Sequence, residues 1–94
     1  KVVALEVAEQ GITCYAGCPG YVKTPLVDAQ IADTAKARGI TEEEVKTNVL
    51  LKAQPTKEFV TYENLNGIIA YLCSNAGSGA TGTSFSIDGG WTAQ

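Results

Sequence analysis

Ninety-four residues, 45% of them apolar and 18% charged, allow one globular domain at most and argue against a fibrous or disordered chain. A formal charge of −3 without a basic run speaks against a nucleic-acid face, and no apolar stretch approaches the roughly 20 residues of a membrane span. With no histidine, and with cysteines only at positions 14, 18 and 73, neither a Cys/His metal site nor a paired disulfide framework is expected, which points to a reducing, cytoplasmic setting.

The first element is a helix. Val2, Val3, Leu5 and Val7 lie among Ala4 and Ala8, and Gly11 stands at a C′ position, so the helix should end near residue 10. Ile12-Thr13-Cys14-Tyr15-Ala16-Gly17 reads as a short strand covered on both faces, because its apolar and small residues do not alternate cleanly. The three cysteines then read as small buried hydrophobes. Cys18-Pro19-Gly20-Tyr21-Val22-Lys23-Thr24-Pro25-Leu26 leaves that strand through two prolines and a glycine, which hold the peptide groups between them in one arrangement. A rigid loop at the C-terminal end of a strand is where open α/β sheets bind their ligands.

Thr41 with Glu44 three residues on predicts a capping box and a helix from about 41 to 52, closed by Pro55. Leu65, Ile68, Ile69 and Leu72 share one face at i, i+3, i+4 and i+7, so another helix should start near Thr61 and end before Gly77 and Gly79. Ser84-Phe85-Ser86-Ile87 alternates as a strand, and Gly89-Gly90 breaks it. Strand, crossover helix, strand makes a right-handed parallel βαβ unit. Two parallel strands cannot stand alone, since parallel sheets are covered on both faces and usually hold more strands. A chain without methionine that starts at Lys1 is accordingly expected to be the last section of a larger doubly wound sheet.

The order of these pieces resembles the last third of the short-chain dehydrogenase/reductase family: strand, Pro-Gly-x-Val-x-Thr loop, helical excursion, helix, and a final strand ending in Asp88-Gly89-Gly90. Within the family, the Thr24-Pro25-Leu26-Val27 continuation, Gly39-Ile40-Thr41-Glu42-Glu43, Gln54-Pro55-Thr56-Lys57 and the ending Gly89-Gly90-Trp91-Thr92-Ala93-Gln94 resemble the bacterial D-3-hydroxybutyrate dehydrogenase branch. The resemblance implies an α/β chain, residues 1–94, that forms the C-terminal part of a Rossmann-like parallel sheet: its last two strands, their crossover helix and a substrate lid over 25–55.

It also implies a site. Pro19, Gly20, Tyr21, Val22, Thr24 and Leu26 would line the nicotinamide end of NAD, with the Thr24 hydroxyl offered to the carboxamide and Pro19 and Val22 beside the ring. Gln30 would reach the carboxylate of a small 3-hydroxy acid, and Tyr21 and Trp91 would wall the pocket at its methyl end. The bland readings are a strand-exit turn for the loop, a solvated surface residue for Gln30, and a core or subunit-interface tryptophan for Trp91. The family's general acid/base tyrosine, the lysine that lowers its pKa and orients the ribose, and the serine that binds the carbonyl oxygen have no match here, so no catalytic residue is assigned. The glycines near Ser74-Asn75-Ala76-Gly77 form no phosphate cradle, because no strand feeds them.

Two positions depart from the family: Tyr15 stands where an asparagine is usual, and Gly17 where an aliphatic strand residue is usual. The family implies a homotetramer acting on a small molecule, with no nucleic acid and no membrane. The rival readings are another short-chain dehydrogenase, such as a 3-oxoacyl-carrier reductase or a sugar dehydrogenase, and a non-catalytic interaction module that docks through its sheet edge or tail.

Overall fold

In the computed structural model, which describes residues 1–94, the two strands pair in parallel and everything else hangs from their ends. Helix α1 (Val2–Val7) continues as a 3-10 turn over Ala8–Gln10 and stops where expected, at Gly11 with φ 72°. Strand β1 is Ala16–Pro19, later than the sequence suggests. Its pairing with β2 (Ser84–Ile87) sets the boundary: Ala16 faces Ser84 and Pro19 faces Ile87, and upstream of Ala16 there is no strand opposite.

The excursion between the strands carries the main core. Thr24 caps α2 (Pro25–Arg38), its Oγ accepting the Val27 N–H at 3.2 Å, Pro25 fills the first turn, and Gly39 at φ 65° ends the helix. Short helix α3 (Glu42–Val45) packs back against it. Val27, Ile31, Ala35 and Val45 form one buried cluster, with Ile40, Val49, Leu50 and Phe59 leaning on it. Each Val or Ile so buried contributes roughly 1.5–3 kcal/mol.

The segment after α3 is not the uniform helix that Thr41 and Glu44 predict. Thr41 Oγ does accept the Glu44 N–H at 3.1 Å, but no hydrogen bond from the Glu44 side chain returns to Thr41. The chain then widens to a π-helical turn over Lys46–Leu50 and tightens to a 3-10 turn over Leu51–Ala53. The complete capping box belongs instead to α4 (Tyr62–Leu72). There Thr61 Oγ accepts the Asn64 N–H at 3.0 Å and Asn64 Oδ1 accepts the Thr61 N–H at 2.9 Å.

Helix α4 lies over one face of the sheet. Its apolar row Leu65, Ile68, Ile69 and Leu72 lines a cleft of about 290 Å³ whose floor is Tyr15, Gly17, Pro19, Phe85 and Ile87. Tyr15 meets Phe85 edge-on, with ring centroids 6.0 Å apart. Strand β1 is nevertheless solvent-exposed at all four residues, not covered on both faces. This overturns the reading of the cysteines as buried: Cys14 is half-buried, Cys18 is exposed on a strand that is open along its length, and Cys73 is exposed at the end of α4. The resulting shape is extended, 56 × 25 × 20 Å with a radius of gyration of 17.1 Å, against about 12 Å for a compact domain of this length. No helix is long and apolar enough to cross a membrane.

Candidate functional site

The proline-glycine loop leaves β1 at Pro19, and the segment from Gln54 to Val60 holds it in place. Val60 N–H donates to Tyr21 O at 2.8 Å and Lys23 N–H donates to Val60 O at 3.0 Å, a one-bridge parallel pairing of Val22 with Val60. The pairing leaves the Val22 N–H and C=O without partners in a half-buried position. These are one free donor and one free acceptor, the complement of a primary carboxamide. Thr24 Oγ accepts the Val27 N–H as helix cap, which leaves its own proton free to donate beside them.

The second loop leaves β2 at Asp88, whose carboxylate organises the tail. Oδ1 accepts the Gly90 N–H at 3.1 Å, and Oδ2 accepts the Thr92 hydroxyl at 2.6 Å and the Thr92 N–H at 3.1 Å. The Thr92 hydroxyl, followed by backbone N–H groups of this turn, holds the Asp88 carboxyl below the ordinary carboxylate range, outweighing the desolvation that opposes it. The turn folds Trp91 onto Tyr21: the rings stack with centroids 5.9 Å apart and planes 17° from parallel. Trp91, 40% exposed, keeps an open edge. Gln94 Nε2 donates to Ala53 O at 2.9 Å and ties the tail to the segment that closes the excursion.

Between the two loops sits Gln54, fully buried, at 0% exposure, and the largest side chain in the molecule so enclosed. Its Oε1 accepts the Tyr21 N–H at 2.6 Å, and its Nε2 donates to Glu58 O at 2.8 Å. The glycines of both loops make room for it. A Cβ on Gly20 would run into Gln54 Oε1 and lie 3.0 Å from the Asp88 Cα. Gly89, at φ 62°, would place one 3.1 Å from Gln54 Nε2. Gly20 is therefore needed for close approach, not for a left-handed backbone.

The structure thus brings Pro19, Gly20, Tyr21, Val22, Thr24 and Trp91 to one end of the sheet. Leu26 follows on the first turn of α2 and is 71% exposed. Gln30 lies on the exposed side of α2 and its side chain makes no hydrogen bond, so it is available to a ligand but not aimed by any contact. Sequence reasoning passed over Gln54 because its partner Tyr21 is 33 residues away. The available signal was a glutamine directly before Pro55 at the end of an apolar run, with glycines at Gly20 and Gly89 awaiting a reason.

A family model described as enoyl-(acyl carrier protein) reductase matches residues 1–92. The D-beta-hydroxybutyrate dehydrogenase of Rhizobium meliloti (strain 1021) is 56% identical over 94 residues, which are 100% of this chain and 36% of the relative. The enzyme of the same name from Cupriavidus necator is 43% identical over the same 94 residues, again 36% of its length. Among solved structures, a short chain dehydrogenase family protein from Francisella tularensis superposes on 100% of this chain and 38% of its own, with TM-score 0.89 and 31% identity. L-sorbose reductase from Gluconobacter frateurii, complexed with NADPH and L-sorbose, superposes on 99% of this chain and 35% of its own, with TM-score 0.86 and 25% identity. The chain spans a little over a third of the length of these relatives. With a family model matching residues 1–92, this α/β chain with its parallel two-stranded sheet belongs to the short-chain dehydrogenase/reductase family.

Proposed function

We propose that the chain is the C-terminal portion of an NAD-dependent oxidoreductase that interconverts (R)-3-hydroxybutyrate and acetoacetate, and that the 94 residues alone catalyse nothing. The observation that carries this reading is the Tyr21–Trp91 stack, set beside the free polar groups of Val22 and Thr24 on a loop held rigid from below. The 56% identity to the Rhizobium meliloti enzyme across the whole chain supports the choice of substrate. The exposed two-stranded sheet supports the reading as a portion, because parallel strands are ordinarily covered on both faces.

In this reading the Val22 N–H and C=O and the Thr24 hydroxyl hold the carboxamide of the cofactor, while Pro19 and Leu26 present apolar surface at its nicotinamide end. When bound, the nicotinamide supplies the carbon that takes or gives the hydride. Tyr21 and Trp91 form a flat apolar wall for the methyl end of the four-carbon acid, and the amide of Gln30 receives its carboxylate. Residues 25–55 close over the pair and exclude water, which strengthens those polar contacts. Proton transfer falls to a tyrosine, tuned by a lysine and accompanied by a serine on the carbonyl oxygen, all of which this reading assigns to the rest of the enzyme. The full enzyme is a homotetramer of the cytoplasm.

A chimera tests the proposal: residues 1–94 replace the matched stretch of the Rhizobium meliloti enzyme. It is expected to oxidise D-beta-hydroxybutyrate with NAD, while the isolated chain does not. A folded chimera that ignores this acid but reduces sugars or 3-oxoacyl thioesters would sink the substrate assignment.

A further inference from the structure

We infer that Gln54 is a positioning residue for the substrate wall: through the Tyr21 backbone it fixes the plane on which Trp91 stacks, and so sets the affinity for the acid. This rests on the reading given under Proposed function. Of the side chains beside the two strand-end loops, only that of Gln54 is fully enclosed. Its two ends hold different segments, Oε1 the Tyr21 N–H at 2.6 Å and Nε2 the Glu58 carbonyl at 2.8 Å. The Tyr21 carbonyl is bound at 2.8 Å by Val60 N–H, two residues beyond Glu58. The N–H and the C=O of Tyr21 are thus both tied to the exit of the excursion, the first by the Gln54 amide and the second by backbone. The β2 loop closes the third side: Thr56 N–H donates to Gly89 O at 3.1 Å, and Pro55 lies under Gly90, whose Cβ position is 3.3 Å from its ring. Trp91 follows at once. A displacement at Gln54 therefore reaches both rings of the stack.

The amide is chemically required, since the site needs one acceptor and one donor at fixed places. Leucine of similar bulk supplies neither. A protonated glutamic acid supplies both, and an ionised one presents a second acceptor to the Glu58 carbonyl. The titratable side chains on the elements packed around Gln54 are Tyr21 on the β1 loop, Lys57 and Glu58 on the exit segment, and Asp88 on the β2 loop. Lys57 Nζ is committed to the carbonyls of Leu51 at 3.1 Å and Lys52 at 2.6 Å, and the Asp88 carboxylate to Gly90 and Thr92. A new pH dependence in Gln54→Glu would therefore belong to the introduced carboxyl, whose burial raises its pKa above the usual range.

The experiment uses the chimera and its Gln54→Leu and Gln54→Glu variants. Gln54→Leu is expected to raise KM for D-beta-hydroxybutyrate about tenfold, the scale of one lost hydrogen bond, with kcat nearly unchanged. It should also alter the emission of Trp91, the chain's only tryptophan, in the isolated 94-residue chain. Gln54→Glu should match the parent chimera at acid pH and drift toward the leucine variant's KM as pH rises, while the parent shows no such drift. If Gln54→Leu fails to fold, the Glu variant alone decides. An unchanged KM in a folded Leu variant, or a Glu variant whose KM follows the parent at every pH, overturns the inference. An inactive parent chimera overturns instead the reading on which it rests.

Discussion

The excursion and the sheet are built on opposite terms. Residues 25–60 bring their own core, the Val27, Ile31, Ala35 and Val45 cluster, and their own polar latch in Gln54. The sheet brings neither: β1 is exposed throughout, the α4 cleft is open, and Val2, Val3 and Leu5 of α1 face solvent. The difference teaches that loops and an excursion can be locally ordered by their own contacts, while the strands carrying them depend on further layers for their cover.

The comparison breaks most directly in the core of the excursion. Ile31→Ala, at a residue 2% exposed, is expected to destabilise the fold by roughly 2–5 kcal/mol, whereas Leu5→Ala, at 79% exposure, should stay within about 0.5 kcal/mol. Thermal unfolding followed by circular dichroism reads both, and equal losses would mean that the two regions share one core. Next in size is Gly89→Ala. At φ 62° an alanine costs about 1–2 kcal/mol of backbone strain, and its Cβ would also press on Thr56 Oγ and Gln54. The tail should loosen and Trp91 emission should change, and a neutral result would show that the β2 loop has slack.

Acid sharpens the contrast within the site. The folded-state pKa of Asp88 is depressed, so its contribution is complete above the unfolded carboxylate value of about 3.9 and fades as pH falls through the lower folded value. Between those limits the turn holding Thr92 and Trp91 should release before the rest of the molecule does. A titration of Trp91 emission should show a step there that Asp88→Asn abolishes. A step that survives the substitution would assign the transition to another group.

How much of this was legible in the sequence follows from the range of the interactions involved. The α4 face was visible because Leu65, Ile68, Ile69 and Leu72 repeat within one helix, and the strand β2 because four residues alternate before Gly89. Gly11 marked the end of α1 by itself. The capping box was placed one helix too early, since asparagine at Asn64 takes the role that glutamate at Glu44 promises and does not perform. Gln54 and the boundary of β1 were out of reach for a different reason: each is fixed by residues far along the chain, Tyr21 in one case and Ser84 in the other. The exposure of Cys18 follows from the lack of a covering layer on β1, which no local pattern around it encodes.

The smallest effect falls on the open side. Gly17 lines the cleft beneath α4 with Tyr15 and Pro19, as alternation along a strand requires, and a Cβ added there meets nothing within 4 Å. Gly17→Ala should therefore stabilise the chain by about 0.5–1 kcal/mol, the usual cost of glycine inside a strand, with no strain to set against it. The same methyl at Gly20, two peptide bonds past Cys18, would collide with Gln54. Two glycines three residues apart thus have opposite reasons to be there: one fills a contact and the other leaves a space. Denaturant midpoints of the Gly17→Ala chain measure it, and a loss of stability would mean that the cleft is narrower than its walls indicate and that the sheet is better covered than the excursion comparison requires.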